Sequence, residues 1–307
     1  MAHHRVTPVF YSQPLSAQTG QKIYLKMECF QPSLSFKVRG IGRLTDYYVE
    51  QGYRSFVASS GGNAGYSAAY ITRALQLPLF VFVPHNTHPI YVAKIRSLGA
   101  TVIMKGDVWD DAHQAALQYA TEHHAAYLPP FDHPLIWAGN STLVDEVVAQ
   151  MAKPDAIIVA VGGGGLAVGI LEGLQRYGWQ DIPLFGIEPL GAASLAASLA
   201  AGKMVQLAAI NTLITTLGTK HVCQRLIDLS ASHTIHALQV ADAQAVKACR
   251  QFLDDHQVLV EPACGAALSV VYEQQPALRA FKSLLVMVCG GVGISPALLA
   301  EFTSRAA

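Results

Sequence analysis

Short, solidly apolar runs alternate with longer segments along this chain, and that alternation restricts the possible folds more than any other feature. The runs at 79–83, 156–161 and 184–187 are apolar at nearly every position rather than at every second one. Runs of this kind are typical of parallel strands that are buried on both faces, with helices in the connections. The sequence therefore predicts an α/β fold made of two three-layer α/β/α domains with mostly parallel, open sheets.

The same pattern gives the individual elements. Strands are predicted at 22–27, 55–58, 79–83, 101–104, 156–161, 184–187 and 284–288, and the clearest helices at 40–50, 91–98, 108–123, 241–256 and 264–272. The proline-rich loop 129–134 is the best place for the chain to pass between domains, because prolines and turn residues interrupt both periodicities there. We predict a small domain, 41–134, and a large domain formed by 1–40 and 135–307.

Composition narrows the classes of partner. The chain is 51% hydrophobic and 14% charged, against about 25% charged residues in an average soluble protein. Much of it must be buried, which fits a two-layer or three-layer α/β protein or an apolar contact between subunits. Lys plus Arg equals Asp plus Glu at 21 each, so a nucleic-acid partner is not expected.

No apolar run reaches the roughly 18 residues that a membrane-spanning helix needs, so no membrane partner is expected. The first five residues lack the apolar core of a signal peptide. The five cysteines are scattered and form no Cys-x-x-Cys pair. That spacing indicates reduced thiols in a cytoplasmic protein rather than a disulfide framework or a zinc site.

Several polar or glycine-rich segments follow predicted strands. Open parallel sheets bind ligands at the carboxyl ends of their strands, and these segments can all be placed near such ends. They are 32–40, 59–65, 162–165 and 289–293, together with Glu188. Their convergence predicts one ligand site.

Lys37 lies between Phe36 and Val38, and an apolar surrounding of that kind disfavours the charged ammonium form. A desolvated lysine keeps more free amine, which can attack a carbonyl carbon. The spacing alone also fits an ordinary lysine near the start of a helix.

Gly162, Gly163, Gly164 and Gly165 follow one predicted strand and precede a helix. Glycines there let backbone N–H groups approach an anion, and a helix N-terminus favours negative charge, so the loop predicts a phosphate cradle. The alternative is a tight turn. The loop also matches Gly-x-Gly-x-x-Ala with Glu188 after the next strand, which is the pattern of a dinucleotide site and of a nicotinamide-dependent oxidoreductase.

The segment 59–65 offers hydroxyls, an amide and backbone N–H groups at another helix start. It suits a carboxylate or a ring oxygen that needs a donor, although an ordinary helix cap would look similar. Cys289 read alone is a small buried cysteine.

Taken together and in this order, Ser-Phe-Lys, Ser-Ser-Gly-Gly-Asn, the four glycines and Cys-Gly-Gly resemble the pyridoxal-phosphate enzymes of the tryptophan-synthase-β type, fold type II. Within that group the chain is similar to the serine/threonine dehydratases, and 129–137 and 260–267 support the likeness. The resemblance implies that pyridoxal 5′-phosphate lies in the cleft between the two domains. It also implies elimination from L-serine or L-threonine to pyruvate or 2-oxobutanoate plus ammonia.

The resemblance also implies roles for residues. Lys37 would hold the cofactor as a Schiff base and later take the α-proton, Phe36 would lie against the ring, Asn63 would donate to the ring hydroxyl oxygen, and Cys289 would face the pyridine nitrogen. The implied phosphate cradle is Gly162, Gly163, Gly164, Gly165 and Leu166. The implied substrate contacts are Ser60, Gly61, Asn63 and Ala64. The implied site for a monovalent cation, expected to be potassium, is Gly162, Glu188, Ala192, Leu217 and Thr219.

Two positions depart from the family pattern. Gly61 falls where related racemases have an acid-base serine, so little racemase activity is expected. Val292-Gly293 stands where related dehydratases often have a polar residue or asparagine. Besides the oxidoreductase, this second departure leaves open a protein that binds the cofactor or an amino acid without turnover. A β-replacing synthase is a further alternative.

Overall fold

The computed structural model describes residues 3–306 and contains two separate sheets. The strands are β1 Val9–Tyr11, β2 Lys22–Lys26, β3 Phe56–Ala58, β4 Leu79–Val83, β5 Thr101–Met104, β6 Ala126–Leu128, β7 Ala156–Ala160, β8 Leu184–Pro189, β9 Ile235–Val240 and β10 Ser283–Met287. Six of them form one sheet in the order β1-β2-β10-β7-β8-β9, and four form the other in the order β5-β4-β3-β6. Among the described strands, only the β1–β2 pair is antiparallel.

Helices connect the strands. They are α1 Gln13–Thr19, α2 Lys37–Glu50, α3 Asn63–Ala74, α4 Pro89–Ser97, α5 Trp109–Glu122, α6 Pro134–Asn140, α7 Thr142–Gln150, α8 Gly165–Arg176, α9 Ser194–Ala201, α10 Gln224–Leu229, α11 Asp242–His256, α12 Pro262–Tyr272 and α13 Pro296–Ala306. The predicted α/β class with mostly parallel sheets is confirmed. No described helix combines the length and the apolar character that crossing a lipid bilayer requires.

The six-stranded sheet is covered on both faces at its centre. Every residue of β7 and of β8 is buried, which is possible only where other elements pack against both sides of a strand. Helix α12 contributes most of its residues, and helix α8 half of its residues, to the same apolar core. This is the physical reason for the unbroken apolar runs in the sequence.

Side chains of the four-stranded sheet point alternately to its two faces, and a separate small core lies on each face. Phe56 and Val81 face one core together with residues of α2, α3 and α4. Val57 and Phe82 face the other, where Ala112 and Ala116 of α5 cover them. Helices on both faces of this sheet make three layers.

Some elements differ from the sequence prediction. Helix α2 begins at Lys37 rather than at residue 40, so the lysine is the first residue of a helix and not part of the loop before it. Strand β9 was not predicted because its burial is uneven, as expected for a strand at the edge of a sheet that carries His236 and Gln239. Strand β6 has only three residues, too few to show a period.

Four charged side chains are buried together beneath the start of α2. Arg39 pairs with Glu28 at 2.7 Å and with Glu146 at 2.7 Å, and Lys26 pairs with Glu146 at 2.6 Å. Two positive and two negative charges balance there, and none of these side chains is more than 9% exposed. Because Lys26 lies on β2 and Glu146 on α7, the cluster ties α2 to the six-stranded sheet.

Candidate active site

Lys37 opens α2 and reaches back across the gap between the two sheets. Its Nζ donates a hydrogen bond of 2.5 Å to the carbonyl oxygen of Pro130 and lies 5.1 Å from the centre of the Phe36 ring. The side chain is partly accessible rather than sealed. An aromatic ring and a carbonyl surround an amine that can still be reached from the cleft.

Burial lowers the pKa of Lys37 to about 8, and the thiol of Cys289 opposes this only in part. Removing water from around an ammonium group disfavours the charged form. At neutral pH the amine is therefore a stronger nucleophile than an exposed lysine, whose pKa is about 10.4.

This pKa gives a test of the amine itself. We expect the rate at which the cofactor-free protein takes up an aldehyde at Lys37 to rise about tenfold per pH unit below pH 8 and to level off above it. Borohydride reduction followed by mass spectrometry of the Lys37 peptide would measure the rate between pH 6 and 9.5. A rate that keeps rising steadily up to pH 9.5, as for free lysine, would contradict the assignment.

The four glycines after β7 form an open anion-binding loop. The backbone N–H groups of 162–166 donate to no carbonyl or side chain within the described part of the chain, and they precede the twelve-residue helix α8. Unpaired N–H groups and the helix dipole both favour an anion here. Gly164 has a φ of +87°, which residues with a side chain rarely adopt.

Phe131 joins this loop to Lys37, and the sequence analysis did not identify it as a site residue. A Cβ at Gly163 would lie 2.4 Å from the Phe131 ring, and one at Gly165 would lie 2.5 Å from the Phe131 carbonyl oxygen. Phe131 is the neighbour of Pro130, the residue that accepts from Lys37. The amine and the glycine loop are thus separated by one stretch of backbone.

The Cys289 turn packs against the segment that carries the lysine. The Phe36 N–H donates to the Cys289 carbonyl at 3.1 Å, and the Gly291 N–H donates to the Leu34 carbonyl at 2.8 Å. Gly290 has a φ of +105°, and a Cβ there would lie 2.2 Å from the Leu34 carbonyl oxygen. The glycine allows the close approach that places a buried thiol beside the amine.

The segment 60–63 lines the opposite side of the cleft. Ser60, Gly61 and Asn63 are partly accessible, whereas Ala64 is buried at the start of α3. The Asn63 side chain donates to Glu261 at 3.0 Å and accepts from the Val292 N–H at 2.8 Å. Glu261, which the sequence analysis placed only in a supporting stretch, is therefore in direct contact with a predicted site residue.

Glu188 lies near the end of β8, beside the glycine loop. The Val161 N–H donates to the Ile187 carbonyl at 2.8 Å, which sets Gly162 next to Glu188. The carboxylate accepts from the Leu195 N–H at 2.6 Å and from the Ala196 N–H at 2.9 Å, at the start of α9. Burial raises the pKa of Glu188 to about 7 despite these bonds.

The other predicted cation contacts lie on irregular segments. A Cβ at Gly162 would be 3.2 Å from the Cα of Leu217, so these two backbones touch. Thr219 Oγ1 is buried and has no partner among the described residues. Ala192 ends the short turn that follows β8.

The position of Glu188 argues against a dinucleotide site. In that type of site an acidic side chain must be free to bind a ribose hydroxyl. Glu188 is fully buried and occupied by two backbone N–H groups. Because the side chain is fully buried, its carboxylate is not accessible to a ribose hydroxyl.

Known proteins share this architecture over nearly the full length of the chain. A family model described as "Pyridoxal-phosphate dependent enzyme" matches residues 1–290. An L-serine dehydratase/L-threonine deaminase of Bos taurus is 43% identical over 306 residues, 96% of this chain and 94% of that protein. An L-serine dehydratase of Dictyostelium discoideum is 38% identical over 95% of this chain and 89% of its own. The crystal structure of a fungal L-serine ammonia-lyase from Rhizomucor miehei superposes with a TM-score of 0.95 and 35% identity, covering 100% of both chains.

Proposed function

The chain belongs to the pyridoxal-phosphate-dependent enzymes of fold type II, and on that premise we propose that it is an L-serine/L-threonine ammonia-lyase. It would convert L-serine to pyruvate, or L-threonine to 2-oxobutanoate, with release of ammonia. The observation that carries the proposal is the arrangement around Lys37. Its amine has a lowered pKa and donates to the carbonyl oxygen of Pro130. The next residue, Phe131, packs against the glycine loop, whose N–H groups are unpaired.

The residues fit the cofactor. Five consecutive N–H groups, of Gly162 to Leu166, lack partners within residues 3–306 and suit a phosphate. Lys37 would bind the aldehyde carbon, Phe36 would lie on the ring, and the Cys289 thiol would meet the pyridine nitrogen. When bound, pyridoxal phosphate stabilises negative charge at the α-carbon of the substrate.

Lys37 would perform two tasks in the reaction. Its free amine would hold the cofactor, and the same nitrogen, when it is free, would take the α-proton of the substrate. A pKa near 8 keeps a useful fraction of the base unprotonated at neutral pH. Ser60, Gly61, Asn63 and Ala64 would hold the substrate carboxylate against the N-terminal end of α3.

A neutral thiol at Cys289 is a weaker partner for the pyridine nitrogen than a carboxylate would be. Negative charge at the α-carbon would be short-lived, which favours prompt loss of the β-hydroxyl over other outcomes. Gly61 has no side chain that could protonate the opposite face. Little D-serine should therefore form from L-serine.

The domain division and the assembly belong to the same proposal. Residues 41–134 would form a small domain and residues 1–40 and 135–307 a large one, with the cofactor between them. The core that contains Phe56 and Val81 also includes Val38 and Ile136, which supports crossings within a few residues of these bounds. A cytoplasmic homodimer activated by potassium completes the proposal.

The proposal is tested by adding pyridoxal phosphate to the purified protein and assaying 2-oxo acid from L-serine and L-threonine. The protein should be yellow and should release ammonia and 2-oxo acid in equal amounts. A colourless protein that takes up no cofactor would refute the proposal that this site binds pyridoxal phosphate. A yellow protein that releases no ammonia from any hydroxy-amino acid would indicate that the protein binds the cofactor without turnover.

Glu188 supplies a prediction about the cation. Glu188→Gln keeps the size of the side chain but removes the charge, and a charge-assisted contact contributes about 1.5–3 kcal/mol. We expect the affinity for potassium, measured as activation of the 2-oxo acid assay, to fall about tenfold or more. Glu172→Gln, in a half-exposed pair with Arg225, is the control. Unchanged potassium dependence would remove Glu188 from the cation site.

A further inference from the structure

Glu261 is a buried carboxylate that only hydrogen-bond donors surround. Its side chain is 1% exposed and accepts from the Gly293 N–H at 2.8 Å, from Asn63 at 3.0 Å and from the Tyr91 hydroxyl at 3.3 Å. No Lys, Arg or His of residues 3–306 forms an ion pair with it. Burial raises the pKa of Glu261, and these three hydrogen bonds and the charge of Lys94 oppose that rise.

These bonds determine which way the Asn63 amide points. The Val292 N–H can only donate, so the atom facing it at 2.8 Å must be the amide oxygen. The amide nitrogen then faces Glu261, which accepts one of its two hydrogens. The second hydrogen is left for another acceptor, and the amide cannot flip without placing donor against donor and acceptor against acceptor.

Tyr91 fastens the far side of the same carboxylate. Its ring fills the space beside Gly293, where a Cβ would lie 1.9 Å from the ring carbon that carries the hydroxyl. On the next turn of α4, Lys94 donates to the Val292 carbonyl. Helices α3 and α4, which pack on the four-stranded sheet, thus both contact the 292–293 backbone that follows β10 of the six-stranded sheet. The Glu261 carboxylate lies at this contact.

We propose that Glu261 is a positioning residue that holds the Asn63 amide with a free N–H toward the cofactor site, and that Tyr91 and Gly293 are a matched pair that keeps the contact closed. The inference rests on the proposed function, because it assigns that N–H to the cofactor. It also gives the Val292-Gly293 departure a physical reason: the missing side chain at 293 makes room for the tyrosine ring.

A double-mutant cycle tests the role of Glu261. Glu261→Gln turns one acceptor oxygen into a donor. We therefore expect the dissociation constant for the cofactor to rise about tenfold when cofactor-free protein is titrated with pyridoxal phosphate and followed by fluorescence quenching. In an Asn63→Ala background the same substitution should change it less than about twofold. If the two effects simply multiply, Glu261 acts on stability alone and the positioning role is wrong.

A second cycle tests the matched pair. Gly293→Ala should raise both the cofactor dissociation constant and the KM for L-serine, because Tyr91 is driven out of its place. Adding Tyr91→Ala should restore the cofactor affinity of Gly293→Ala to within about threefold of Tyr91→Ala alone. Equal damage from Gly293→Ala in both backgrounds would overturn the pairing. Wild-type protein that takes up no cofactor would instead refute the proposed function.

Discussion

Lys37→Ala is expected to abolish 2-oxo acid formation, lowering turnover more than about a thousandfold, because one nitrogen both binds the cofactor and moves the proton. Alanine supplies neither function, and no other lysine can replace it from its present position. Lys94, for example, is engaged with the Val292 carbonyl. The measurement is single-turnover release of pyruvate from L-serine with saturating cofactor.

The control is Lys22→Ala, which removes an exposed lysine at the start of β2. It should retain wild-type turnover. Lys37→Ala should also lose the borohydride-stable label at that peptide while keeping its helical circular dichroism. Turnover within tenfold of the wild type would mean that the chemistry uses another amine, and the whole site assignment would be wrong.

Arg39→Met is expected to lower the free energy of unfolding by about 3–5 kcal/mol, because it leaves buried carboxylates without their partner. Arg39 bonds both Glu28 and Glu146, and within residues 3–306 Lys26 is the only other cation paired in this cluster. Methionine fills similar space, so the loss reports charge rather than volume. Urea unfolding of the cofactor-free protein is the measurement, since bound cofactor would add its own stabilisation.

Arg305→Met is the matched control, because Arg305 pairs with Glu301 on the exposed face of α13 at 3.2 Å. An exposed pair of this kind contributes about 0.3–0.5 kcal/mol.

The pH dependence of the free energy of unfolding adds a second check. Burial alone would raise the pKa of Glu146, but its bonds to Arg39 and Lys26 outweigh burial and lower it. Its stabilisation is therefore present above the ordinary carboxyl pKa and is lost as the pH falls through the lowered one. Equal stability of Arg39→Met and wild type at pH 7 would contradict this account.

The sequence predicts the strands of the sheet centres well, because burial on both faces leaves a clear mark. Strand β4, inside the four-stranded sheet, has the predicted bounds. Strand β5 also has them, although it is an edge strand with mixed burial. The edge strands β1 and β9 have mixed burial as well, and they were not predicted. Short β6 was also missed, and with it the reason why the 129–134 loop lies at the carboxyl end of a strand.

The site residues that came from glycine and lysine motifs are found together, but those that act through tertiary contact could not be foreseen. Nothing in the sequence places Phe131 on Gly163, because their contact depends on how two sheets meet. Glu261 likewise stands 198 residues from the asparagine that it holds. Its only local sign is an acid just before Pro262 at the start of α12, which is also an ordinary helix cap.

The position of β10 has a consequence for the order in which the molecule can be made. This strand is the last of the ten along the chain, yet it lies between β2 and β7, pairing with both. The ribosome therefore finishes the four-stranded sheet, whose strands are contiguous in sequence, long before the six-stranded one can close. Until residues 283–287 emerge, β2 and β7 keep open edges that invite pairing with other nascent chains. A chaperone that shields those edges would protect the protein until β10 has been made, and stop codons just before Ser283 should yield aggregates rather than a shortened enzyme.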